Sequence, residues 1–176
     1  MSAAAIKTFA QAAEAFCAFI DSFADARPRD LYRQLESHLA QLHATIVPLI
    51  TSTEMYCPAF SAHASITPEQ RKITRSFIST IVLSESNELH DWHLEISGHP
   101  ENIDNHSAIR ASMLWDDLAD IYADLSLGLI QHRATSESAN VHAAWEWKSS
   151  YESHWGYHLF RASSSIHELR YQLDKD

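Results

Sequence analysis

Apolar residues recur at alternating steps of three and four along most of the chain, the period of helices that bury one face. Ile6, Phe9, Ala13, Phe16, Ile20 and Phe23 form a first seam, and Tyr32, Leu35, Leu39, Leu42, Ile46 and Leu49 a second. Arg27-Pro28-Arg29 separates them, and Pro28, with its fixed φ and missing N–H, suits the first turn of the second helix. So short a break makes the two helices antiparallel neighbours. Residues 51–66 have no period and contain Pro58, which predicts a long connection. Thr67-Pro68-Glu69-Gln70 then reads as a helix start with Thr67 as N-cap and Gln70 closing a capping box. That helix carries Ile78, Val82, Glu85, Leu89, Trp92 and Ile96 and ends at Gly98 and Pro100.

The polar run 101–107 leads into a helix over about 106–131 with the seam Leu114, Leu118, Ile121 and Leu125. After a polar break at 134–138 the last helix runs over about 139–171. Its seam is Trp155, Leu159, Ala162, Ile166, Leu169 and Leu173, and backward extrapolation adds Glu152, Lys148, Trp145 and Val141. The expected fold is all-α, a single domain built as an antiparallel bundle of about five helices. No internal repeat or low-complexity tract interrupts it.

Composition agrees. Average usage for 176 residues gives about 12 glycines and about 9 prolines, and the chain has 3 and 5. Rossmann, P-loop and most β architectures thereby lose their turn residues. With 23 acidic residues against 13 Lys and Arg, the formal charge is −10, which disfavours nucleic acid and anionic lipid as partners. Protonating all 12 histidines brings it to +2, so solubility and assembly are expected to respond to mild acid. Cys17 and Cys57 lack metal or redox spacing and are read as free thiols. The N-terminus lacks a secretory pattern, and no stretch is read as long enough to span a bilayer, so the protein is expected in the cytoplasm.

The segments Asp116-Asp117-Leu118-Ala119-Asp120-Ile121-Tyr122-Ala123-Asp124-Leu125 and Ala143-Ala144-Trp145-Glu146-Trp147-Lys148-Ser149-Ser150-Tyr151-Glu152-Ser153-His154-Trp155-Gly156-Tyr157-His158 resemble the signature blocks of the DUF5063 family. Phe16-Cys17-Ala18-Phe19-Ile20 is similar to its first helix, and Asp91-Trp92 with Glu95 match it more loosely. The resemblance implies a bacterial all-helical fold and brings no reaction with it.

Candidate chemistry gathers in those blocks. Asp117, Asp120 and Asp124 fall at i, i+3 and i+7, so three carboxylates share one helix stripe. Like charges so spaced repel by a few tenths of a kcal/mol per pair. The stripe therefore needs cations, an ion such as Mg²⁺ or Mn²⁺, or open solvent as a charged surface shared with Asp116. His154 and His158, four apart, can reach one metal ion, although the Glu of a metalloprotease helix is missing between them. Their other reading is an aromatic packing edge with Trp147 and Tyr151. His90 and His93 form a second pair, but no Glu-x-x-His motif points to a di-iron bundle.

Glu85, Glu152 and Lys148 interrupt apolar seams, and a buried carboxylate costs several kcal/mol unless paired, protonated or metal-bound. Glu152 is the catalytic candidate, with pairing to Lys148 one turn away as its structural alternative. Trp145, Trp147 and Trp155 are either core or an exposed anchor for a partner.

Two functions compete. The first is a non-enzymatic module that binds an unidentified protein through Asp117, Asp120, Asp124, Trp147, Tyr151 and Trp155, needs no cofactor, and has oligomerisation open to it. It leads because no nucleophile with its base, phosphate loop or complete metal motif is visible. The second is a hydrolase-like enzyme using a divalent metal held by His154, His158, Asp117 and Asp120.

Overall fold

The computed structural model describes residues 2–22, 28–52, 105–134 and 136–173. The helix expected from Thr67, with Glu85, His90 and His93, lies outside these residues, as do Phe23 and Cys57. The described chain is helical, with no strand among the described residues. Helix α1 spans Ala3–Ser22, α2 Pro28–Ile50, α3 Asn105–His132 and α4 Glu137–Ser150. A π-helical turn, Tyr151–Trp155, carries α4 without a break into α5, Gly156–Leu173. The described residues make four rods, the fourth being α4, the π turn and α5 together.

Most of the predicted seam positions among the described residues lie in the core. Ile6, Phe9, Ala13 and Phe16 of α1, Tyr32, Leu35, Leu39, Leu42, Ile46 and Leu49 of α2, and Leu114, Leu118, Ile121 and Leu125 of α3 are all buried. Trp155, Leu159, Ala162 and Ile166 complete it from the fourth rod. Cross-contacts fix the directions. Cys17 Sγ lies 3.8 Å from Ser126 Oγ, and Tyr122 donates to Asp21 at 2.8 Å, so α1 and α3 are antiparallel. Lys148 meets Ile50, Tyr151 meets His43, and Arg170 pairs with Glu36, so α2 and the fourth rod are antiparallel too.

By length and composition α1 meets the requirement for crossing a membrane, which corrects the expectation that no stretch does. Its buried residues, Ile6, Phe9, Ala10, Ala12, Ala13, Phe16 and Cys17, belong to the bundle core. Ser136 caps α4 by accepting from the Ala139 N–H at 3.1 Å, which accounts for the polar break before the last rod.

The backward extrapolation of the last seam is overturned. The residues facing the core ahead of Trp155 are Ala143, Ala144 and Trp147, with Tyr151 packed against them, and not Val141, Trp145, Lys148 and Glu152. The π turn is the cause. From Trp147 the core positions run 151, 155 and 159, and three consecutive steps of four overshoot an α-helix by about 40° each. The wider π turn absorbs the excess. Gly156 donates its N–H to the Tyr151 carbonyl, the five-residue spacing of a π turn, and a Cβ on Gly156 would sit 2.4 Å from that same oxygen.

Trp147 and Trp155 are central to the core. Phe9 packs on both, edge-on to Trp147 with centroids 5.0 Å apart and stacked with Trp155 at 6.0 Å. Each indole N–H finds a carbonyl, Trp147 donating to Leu125 at 3.1 Å and Trp155 to Trp147 at 3.2 Å. Gly128 lets the indole approach α3: a Cβ there would stand 2.1 Å from Trp147 Nε1.

Candidate functional site

Helix α3 sets Asp117, Asp120 and Asp124 along one stripe because i, i+3 and i+7 positions share a face. The antiparallel fourth rod answers with His154, His158 and Arg161 at i, i+4 and i+7. The two stripes meet in reverse order. His154 Nδ1 donates to Asp124 Oδ2 at 2.7 Å, and His158 Nδ1 donates to Asp117 Oδ1 at 2.7 Å. Arg161 Nε lies 2.7 Å from both Asp117 oxygens, and its Nη2 also donates to Oδ1. His158 Nε2 is 3.5 Å from Asp120 Oδ2, and Arg161 Nη2 is 3.8 Å from the exposed Asp116.

The reading of the aspartate stripe as a solvated face is corrected at Asp117, whose side chain is 0 % exposed. An unpaired carboxylate there would be costly, and the guanidinium and imidazole are what make its burial tolerable. The hydrogen bond to Asp117 in turn raises the Arg161 pKa above its ordinary value. Desolvation raises the Asp124 pKa, opposed by the hydrogen bond from His154. Arg161 carried no reading from sequence. Its place seven residues after His154 was the available signal, since that puts it on the histidine stripe.

With each Nδ1 turned to a carboxylate, Nε2 is the ring nitrogen each histidine has left for a further partner. Asp120, His154 and His158 each offer one ligand atom, all within 4.8 Å of one another. The histidine rings meet edge to face at 4.7 Å. His154 is 45 % exposed, so the cluster opens to solvent at that end. Tyr157, 67 % exposed, lies against His158 and carries Arg161 over its ring at 5.3 Å.

The other predicted site residues fall elsewhere. Trp147 and Trp155 are 0 % exposed, so neither belongs to a recognition surface; the apolar packing that holds them is the reason. Tyr151 is half-buried, its ring against Trp155 at 4.8 Å and its hydroxyl 3.4 Å from His43 Nδ1. Glu152 is 54 % exposed and pairs with Lys148 at 3.7 Å, away from the histidine stripe, which removes the case for a buried catalytic carboxylate. Lys148 donates to the Ile50 carbonyl at 3.2 Å and reaches that of Ser52 at 3.5 Å, capping α2. Asp117 is engaged on both oxygens by His158 and Arg161 and stands outside the group of ligand atoms formed by Asp120, His154 and His158.

Fold and site together define a helical bundle with a carboxylate- and histidine-lined seam between its two C-terminal rods. The chain belongs to the family described as a domain of unknown function, DUF5063, whose profile matches residues 2–172. The crystal structure of protein BF1032 from Bacteroides fragilis is similar at 18 % identity, with a TM-score of 0.63 and 95 % of each chain covered, a likeness of fold. No curated protein matches the chain.

Proposed function

We propose that this protein binds a divalent transition-metal ion between α3 and the fourth rod, through His154 Nε2, His158 Nε2 and the Asp120 carboxylate. The observation that carries the reading is the pair of hydrogen bonds from imidazole Nδ1 to carboxylate, His154 to Asp124 and His158 to Asp117. Metal-ligating histidines are usually oriented in this way, which fixes the tautomer and makes the free nitrogen more basic. Two imidazoles and one carboxylate suit Zn²⁺, Fe²⁺ or Ni²⁺ better than Mg²⁺ or Ca²⁺. Bonds of about 2.0–2.2 Å would draw the ligand atoms in by an ångström or two, within the reach of side-chain rotation. Three protein ligands leave coordination positions open, the arrangement of a reactive centre, not of a structural clamp.

Tag-free protein stripped with chelator, dialysed against Zn²⁺ and then against buffer, is expected to retain about one metal per chain by elemental analysis. His154→Ala, His158→Ala and Asp120→Ala should each lose it while remaining helical by circular dichroism. Stripped protein that takes up no zinc, or variants that keep it, would refute the site and leave the histidine–aspartate pairs as ties between helices.

A further inference from the structure

Resting on that metal site, we propose that the loaded centre hydrolyses uncharged acyl esters and discriminates against anionic ones. Three observations converge on this. His154 is 45 % and Asp120 35 % exposed, so the cluster can be reached from solvent. A divalent ion and Arg161 bring three positive charges against the four carboxylates of Asp116, Asp117, Asp120 and Asp124, so the site stays net negative after loading. Tyr157 gives the rim an exposed aromatic surface beside His158, and an apolar acyl or aryl group can lie on it. A phosphate monoester or carboxylate would enter against the field of a chain whose formal charge is −10.

In the reaction, a water bound to the ion gives one proton to bulk water. The resulting hydroxide oxygen forms a bond to the ester carbonyl carbon, and the bond from that carbon to the alcohol oxygen breaks. The electron pair leaves with the alkoxide, which takes a proton from water. Ester and water become acid and alcohol, with no redox change.

The test compares p-nitrophenyl hexanoate with the singly charged p-nitrophenyl monoester of adipic acid, so that leaving group and acyl carbon count are matched and charge differs. Zinc-loaded protein is expected to release nitrophenol from the neutral ester at least about tenfold faster than stripped protein, and to favour it over the charged ester by roughly fivefold or more. Asp116→Lys, which alters an exposed residue that is not a ligand, should narrow that preference without loss of zinc. Zinc bound by calorimetry with no zinc-dependent release would overturn the hydrolytic inference and leave the metal site standing. Equal or faster turnover of the charged ester would overturn the substrate class. Failure to bind zinc would remove both.

Discussion

The ion pair between Asp117 and Arg161 should cost very different amounts depending on which partner is removed. Arg161→Met leaves a carboxylate that has no exposed surface, with the His158 Nδ1–H as its remaining donor. Breaking a buried pair on the side that strands a charge typically costs about 3–5 kcal/mol. The histidine places this case near the lower end, at about 3 kcal/mol. Asp117→Asn strands a guanidinium that is 27 % exposed and already 3.8 Å from Asp116, so water and Asp116 take over its solvation. The amide still accepts one hydrogen bond, and a loss of about 1–2 kcal/mol is expected. Urea titration followed by tryptophan fluorescence can read both, because Trp147 and Trp155 are fully buried and change environment on unfolding. At about 2–4 °C per kcal/mol for a chain of this size, Arg161→Met should melt several degrees below Asp117→Asn. If Asp117→Asn costs as much as Arg161→Met, or more, Asp117 is not the buried member on which the seam depends.

Two further outcomes are expected. Gly→Ala inside a helix ordinarily stabilises by about 1 kcal/mol, but Gly156→Ala should destabilise by about 1–3 kcal/mol because the new methyl meets the Tyr151 carbonyl oxygen; a raised melting temperature would contradict the π-turn geometry. Burial pushes the Cys17 thiol and the Tyr32 phenol each up to about 12, so the folded state favours their neutral forms. That contribution is complete below the unfolded values of about 8.5 and about 10 and is lost as pH rises from there towards 12. Melting temperatures should therefore fall between about pH 9 and 11, less steeply in Cys17→Ala and Tyr32→Phe, and an unchanged slope in both variants would refute the assignment.

The fold was legible wherever a helix keeps one register. Leu35, Leu39, Leu42, Ile46 and Leu49 obey the alternation of three and four, and all five are buried. The rule failed at Glu152, Lys148, Trp145 and Val141 because a local change of helical pitch leaves every residue type in place and alters only the count. Both halves of the site were legible separately, as an aspartate stripe and a histidine pair. That Asp117 and Asp120 face His154 and His158 was legible as well, but which carboxylate meets which imidazole was not, because that depends on the relative height of two antiparallel rods, which inter-residue spacing along one rod does not specify. Asp117 illustrates the consequence. As a string, Asp116-Asp117 is two acidic neighbours, yet one is exposed and the other sealed, a difference of about 100° around the helix.

The π turn divides the fourth rod into two frames of reference. Trp155 follows Trp147 by eight residues, where an unbroken α-helix would return a core side chain after about seven. A homologous chain without the bulge would therefore be one residue shorter here, and an ungapped comparison anchored on Trp155 would set its upstream indole against Lys148 instead of Trp147. Substitutions before Tyr151 and after Trp155 must be mapped onto separate helical wheels, and the gap between them belongs inside the bulge, ahead of Gly156.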